Sequence, residues 1–271
     1  MGSRRTRLWI LAAFTFSCVV IVALLPRIAQ NPAYHDFADQ RAFFGIPNCL
    51  NVVSNAPFLL VGWLGMAFLL RSRRAGEAAP FVNPQERWPY AVFFLGVALT
   101  SIGSSYYHLA PGNGTLVWDR LPMTFAFMSF FAAVVVERIS LRSGLWLLAP
   151  LVLIGIASVG YWNLTEMHGA GDLRPYGLVQ AYPLLGVPLL IALFPAKYTR
   201  TADLLTVGGI YLLAKLFELL DRPIFSVGHI VSGHTLKHLT AALSAYWALR
   251  MLKLRSPVAV VAHRATPLIA I

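Results

Sequence analysis

A chain of 271 residues that is 58% hydrophobic and only 12% charged has the composition of an integral membrane protein, because soluble domains carry about a quarter charged residues. The net charge of +11 would suggest nucleic-acid binding in a soluble protein. In a membrane protein it indicates basic loops on the cytoplasmic side, so we expect no nucleic-acid partner. Two cysteines, Cys18 and Cys49, exclude a disulfide framework and have no zinc-finger spacing.

The apolar segments predict an all-α, polytopic membrane helix bundle with about eight transmembrane helices. A spanning helix needs about 20 mostly apolar residues. The seventh candidate is the weakest, because it carries Lys215 and Glu218, which we expect to pair within the bundle. The first segment follows three arginines and resembles a cleaved signal peptide, but its length and the lack of a small-x-small cleavage site favour a retained helix. The candidate spans are 8–28, 49–70, 89–109, 119–136, 144–162, 176–194, 204–220 and 231–252.

The charge pattern predicts the orientation of these spans. With the N-terminus in the cytoplasm, most arginines and lysines fall on the cytoplasmic side, as the positive-inside rule requires. Both termini are then cytoplasmic. The histidines follow the opposite pattern and fall in outer loops or the outer halves of helices, where ionisable groups usually mark function. The histidines concerned are His35, His108, His168, His229, His234 and His238.

The segment SGHTLKHL places His234 and His238 at positions i and i+4, on one face of a helix, where both can bind one metal ion. The segment SSYYHL adds His108 near the outer end of the third span, with Ser104 four residues before it. Three protein ligands plus a water is the arrangement of a catalytic zinc site. Two alternatives remain open: interfacial histidines that bond neighbouring helices, and a serine that only bonds to its own helix.

The segment WDRLPM places Asp119 at the start of the fourth predicted span, after a short outer loop. A carboxylate there can take a proton from a water that zinc has made acidic. Asp119 is also typical of a helix N-cap, and the two roles are compatible.

Taken together, these segments resemble the alkaline ceramidases, part of a membrane hydrolase superfamily that includes the adiponectin receptors. The resemblance covers residues 36–252 and keeps the order and approximate spacing of the family's motifs. It implies a ceramidase-like seven-helix core over residues 31–255, preceded by an extra helix over residues 1–30 and followed by a cytoplasmic tail, 256–271. The matching segments are NCLNVVSNAPF (48–58), SSYYH (104–108), WDRLPM (118–123) and HTLKH (234–238).

The resemblance also implies roles. His108, His234 and His238 would hold zinc, Asp119 would activate the water, and Ser104 would support the metal site or the developing oxyanion. The reaction would hydrolyse the N-acyl amide of ceramide or a related lipid to a fatty acid and an amine.

The family also binds calcium before its first span, and the corresponding oxygen ligands here are Asp36, Asp39 and Asn48. Asn48 replaces the family's glutamate, and Arg41 adds a positive charge nearby, so a solvated acidic loop is the alternative.

Two other functions fit the same residues: a zinc hydrolase of this build that acts on a different acylated lipid, and a non-enzymatic, adiponectin-receptor-like protein with a structural zinc. Asp119 favours an enzyme, because a structural site needs no base beside an open position. The expected location is a bacterial inner membrane with the active site on the periplasmic side. The alternative is the endoplasmic reticulum or Golgi, with the site on the lumenal side.

Overall fold

A computed structural model describes residues 2–71 and 80–258, and within these ranges it is helical and contains no extended strand. The predicted all-α class is confirmed. Most of the predicted cytoplasmic tail lies outside the described residues. The α-helices in chain order are α1 (Arg4–Leu24), α2 (Cys49–Val53), α3 (Ala56–Arg71), α4 (Arg87–Leu109), α5 (Asn113–Arg138), α6 (Leu141–Met167), α7 (Arg174–Leu193), α8 (Thr201–Leu219), α9 (Asp221–Ser226) and α10 (Gly233–Leu254).

Within the described ranges, six helical stretches are long and apolar enough to cross a membrane, which identifies the chain as a polytopic membrane protein. The remaining two long helices, α8 and α10, coincide with the seventh and eighth predicted spans. Helix α8 carries Asp203, Lys215 and Glu218, and α10 carries two histidines, two lysines and an arginine. The six stretches are Arg4–Leu24, Cys49–Arg71, Pro84–Leu109, Asn113–Arg138, Leu141–Met167 and Arg174–Leu193.

The start of the fourth span differs from the prediction. Helix α5 begins at Asn113, directly after Gly112, so Asp119 lies inside the helix and is not its N-cap. The N-cap interpretation of Asp119 is therefore wrong. The extra turns form because Leu116 is completely buried and its amide donates to the carbonyl of Gly112 at 2.9 Å, so tertiary packing overrides the turn-forming sequence.

The second predicted span is interrupted at Ser54 and Asn55, which separate α2 from α3. The Ser54 hydroxyl and the Asn55 amide both donate to the backbone carbonyl of Asn51, at 3.1 and 2.8 Å. Side chains of this kind compete with the backbone hydrogen bonds of a helix. The interruption turns polar side chains of this segment towards α4 and α10.

Two close backbone contacts between helices bring the predicted site residues together. A Cβ on Gly103 would lie 1.9 Å from the carbonyl oxygen of Trp118, so α4 and α5 touch backbone to backbone beside Ser104 and Asp119. A Cβ on Gly233 would lie 2.2 Å from the carbonyl oxygen of Phe217 at the end of α8. Small residues permit such approaches between membrane helices.

Helix α1 lies at the edge of the bundle, has no buried residue and packs against α7. Its C-terminal end is held by Arg174, whose guanidinium donates to the carbonyls of Ala23 and Leu25. The same guanidinium donates to both carboxylate oxygens of Asp172, at 2.9 and 2.8 Å. The Asp172–Arg174 pair therefore connects α1 to the loop between α6 and α7.

This pair predicts an acid-sensitive contact. Hydrogen bonds from Arg174 lower the pKa of Asp172 from its ordinary value of 3.8 to about 2. A depressed folded-state pKa stabilises the protein above the ordinary value, and that stabilisation is lost as the pH falls through the folded value. Asp172→Asn should lower the melting temperature at neutral pH, and its difference from the wild type should shrink between pH 4 and pH 2. A difference that stays constant down to pH 2 would contradict this assignment.

Candidate metal centre

Three buried histidine rings converge near one end of the bundle. The Nε2 atom of His108, in the last turn of α4, lies 3.3 Å from the Nε2 atoms of both His234 and His238 in α10. Potential ligand atoms of all three lie within 4.8 Å of one another. Tetrahedral zinc with Zn–N bonds of about 2.0–2.1 Å has ligand atoms roughly 3.3–3.4 Å apart. The three predicted ligands therefore do come together, and the cluster can hold a metal ion.

The start of α10 fixes two of these histidines. The Ser232 side chain accepts from the backbone amide of Thr235 at 3.1 Å and caps the helix. The amide of His234 donates to Oδ1 of Asp221 at 2.7 Å, so the first residue of α9 also holds the start of α10. Because His238 follows one turn later, both rings project from the same face.

The orientation of His238 is set by Ser54, in the interruption between α2 and α3. The Ser54 oxygen lies 2.8 Å from Nδ1 of His238. Because the single hydroxyl proton of Ser54 is donated to the Asn51 carbonyl, the serine oxygen is left to accept from Nδ1–H. This assigns the tautomer whose Nε2 carries a lone pair towards the other two histidines, as metal binding requires.

We expect Ser54→Ala to weaken metal binding by about ten- to a hundredfold, the usual effect of removing a partner that orients a ligand. Metal content after dialysis against graded chelator measures the change. Ser101→Ala is the matched control, since Ser101 donates to the Asn55 carbonyl at 2.8 Å and is not among the hydrogen-bond partners of the histidine rings within the described residues. Equal metal retention in wild type and Ser54→Ala would contradict the orienting role.

Polar and aromatic groups from the N-terminal half of the chain enclose the centre. The Asn48 amide donates to the backbone carbonyl of His108 at 2.9 Å. The Phe37 ring packs against the rings of His108 and His234, with centroids 4.6 and 4.7 Å apart. The hydroxyl of Thr235 donates to the side chain of Asn51 at 2.9 Å. The NCLNVVSN segment therefore positions the ligands instead of supplying one.

A cavity of about 770 Å³ opens beside the centre. Its wall includes Ser104, Asp119 and His238, and most of the other lining residues are apolar side chains of α4, α5, α7, α8 and α10, with part of α1. Ser104 and Asp119 are both buried. Cavities of this size and composition bind small molecules and enclose most of their surface. The two predicted catalytic residues therefore share one compartment with a predicted metal ligand.

Comparisons with known proteins do not extend this description: no protein-family model and no curated protein matches the chain. The geometry of the chain's own residues is what bears on its chemistry.

An ion-pair cluster borders the centre. Nζ of Lys237 lies 2.7 Å from Oε1 of Glu218 and 3.5 Å from Nε2 of His234. Glu218 also pairs with Lys215 and accepts from the hydroxyl of Tyr34 at 3.1 Å. The Lys215–Glu218 pair offsets the charges that make the seventh span look weak, whereas the sequence did not predict a role for Lys237. The sequence signal for Lys237 was its position between the candidate ligands His234 and His238.

The three predicted calcium ligands each have a protein partner. Asp36 forms an ion pair with Arg222, and Asp39 pairs with Arg41 at 2.8 Å. Burial acts to raise the pKa of Asp39, but hydrogen bonds from Arg41 outweigh it and lower the pKa below its usual value. Asn48 is bonded to His108. These contacts give each residue a role without calcium, and calcium binding stays a prediction.

Proposed function

We propose that this protein is a zinc-dependent integral membrane amidase that hydrolyses the N-acyl amide of ceramide or a related lipid to a fatty acid and an amine. One observation carries the proposal: the three-histidine cluster adjoins an apolar cavity whose wall also includes Asp119 and Ser104. The ligand spacing of 3.3 Å suits the short bonds of zinc to imidazole nitrogen. The resemblance of the motifs to alkaline ceramidases agrees with this assignment.

His108, His234 and His238 would hold the zinc, which would supply the acidity for a water molecule and polarise the substrate carbonyl. Asp119 takes the proton from the attacking water as general base and returns it to the departing amine nitrogen. The Ser104 hydroxyl donates to the carbonyl oxygen as negative charge develops there. Ser54 and Asn51 hold the histidine end of α10 in place.

The cavity accounts for the lipid part of the substrate. Its apolar lining from α5, α7 and α8 can take an acyl chain, while the amide lies at the polar end beside Asp119. A chain in this position enters from the membrane. The charge pattern supports a site on the outer face, which is the periplasmic face in the proposed bacterial inner membrane.

A panel of N-acyl lipids tests the proposal. Purified full-length protein in detergent, loaded with zinc, should release fatty acid from ceramide or another N-acyl amide, detected by mass spectrometry. Release from an ester lipid but from no amide would indicate a hydrolase of the same build with a different substrate. Zinc bound at one ion per chain, with no fatty acid released from any lipid, would favour the non-enzymatic, adiponectin-receptor-like alternative.

A further inference from the structure

Arg120, next to Asp119 in α5, is a buried cation with 5% of its surface exposed. One terminal nitrogen, Nη2, donates to Oε1 of Gln30 at 2.6 Å. The other, Nη1, is buried and has no hydrogen-bond partner among the described residues. Arg120 also lines the cavity that holds Asp119 and Ser104.

Aromatic rings surround the Arg120 guanidinium. Its central carbon lies 4.2 Å from the ring centroid of Trp162, 4.9 Å from that of Tyr176 and 5.6 Å from that of Tyr34. Such rings attract a cation through their faces, but they do not accept the in-plane Nη1–H donor. A buried charged donor without an acceptor is costly. The site is therefore incomplete in a way that an anionic acceptor in the cavity would correct.

The other charges of the cavity wall point the same way. Lys215 and Lys237 share the single carboxylate of Glu218, and Asp119 is the other carboxylate on the wall. Cations therefore outnumber carboxylates around the polar end. A cleft with an excess of cations attracts a negatively charged substrate group and disfavours a positively charged one.

We propose that Arg120 binds an anionic oxygen on the amine side of the substrate, so that the preferred substrates are N-acyl amines carrying a carboxylate or phosphate. This rests on the proposed amide hydrolysis. Because Asp119 and Arg120 line the same cavity, the anionic group lies in the compartment where the amide is cleaved. Arg120 is then a specificity-determining residue, and its planar fork suits two-oxygen acceptors.

Three matched substrates test the proposal: N-dodecanoylglycine, N-dodecanoyl-O-phosphoethanolamine and neutral N-dodecanoylethanolamine. Wild-type protein should hydrolyse at least one of the two anionic substrates with a higher kcat/KM than the neutral substrate. Comparing the two anionic substrates shows whether the site prefers a carboxylate or a phosphate. Arg120→Gln should raise KM for that anion by roughly ten- to a hundredfold, the usual value of a hydrogen bond to a charged group. KM for the neutral amide should stay within about twofold. Arg120→Lys should fall between the two, because it keeps the charge and loses the fork.

Arg27→Gln is the matched control, because Arg27 is exposed and the substitution removes the same charge. It should leave all three KM values unchanged. Binding is measured separately as the ligand-induced rise in melting temperature, comparing Asp119→Asn with Asp119→Asn/Arg120→Gln. Anion binding that depends on Arg120 supports the inference even if no amide is cleaved, which would sink only the proposed hydrolysis. The inference would be overturned if the wild type had the highest kcat/KM for the neutral amide, or if Arg120→Gln weakened the binding of all three substrates equally. Neither result would contradict the proposed hydrolysis.

Discussion

Replacing Asp119 with asparagine is expected to lower kcat for amide hydrolysis by about a hundred- to ten-thousandfold, the usual loss for a general base. Asparagine has nearly the same shape, and Asp119 lies inside α5 and does not cap it, so the fold should survive. Asp119 is not among the residues that could hold the metal, so zinc content should also stay at the wild-type level. Fatty-acid release and metal content, measured on the same preparation, check both expectations.

Neighbouring serines calibrate that result. Ser104→Ala removes a hydroxyl from the cavity wall. It should reduce kcat by about a hundred- to a thousandfold, the usual cost of losing one oxyanion donor, and by less than Asp119→Asn does. Ser105→Ala is the matched control, because Ser105 only donates to the Val52 carbonyl at 3.3 Å. Wild-type turnover in zinc-loaded Asp119→Asn would show that Asp119 is not the base and would favour the receptor.

The second large effect concerns the metal itself. His234→Ala or His238→Ala should remove most bound zinc, because two remaining imidazoles cannot form a three-ligand catalytic site. Turnover should fall to the level of the metal-free protein. Elemental analysis of purified variants measures the zinc-to-protein ratio.

His229→Asn separates this effect from the loss of any histidine near the same end. His229 is exposed, lies outside the cluster and has a positive φ of 54°, which asparagine tolerates better than most residues. The variant should keep its zinc. A stoichiometric zinc content in the His234→Ala/His238→Ala double variant would contradict the assignment of the cluster.

Composition and apolar run length were sufficient to predict the long helices, because such runs have few alternatives in a membrane. The start of α5 was misplaced by six residues: Asn113 and Gly114 have the sequence of a loop, and only the burial of Leu116 in the folded bundle extends the helix over them. The weak seventh span has a similar cause. Its charges Lys215 and Glu218 look unsuited to a membrane until Lys237 of α10 is placed beside them.

The candidate site divides in the same way. The histidines could be predicted, because helical spacing and a common membrane depth are properties of the sequence. Their orientation could not, since the contact between Ser54 and His238 joins positions 184 residues apart. The unsatisfied donor of Arg120 likewise exists only when Gln30, Trp162 and Tyr176 are assembled around it.

Reconstitution with metal tests the central claim most directly. Full-length protein is stripped of metal with a chelator, titrated with zinc, and assayed for fatty-acid release from the best N-acyl amide of the panel. The account predicts no turnover without metal and a linear rise that reaches its plateau at one zinc per chain. Full turnover in the metal-free protein, or a plateau that His238→Ala shares at the same zinc ratio, would contradict it.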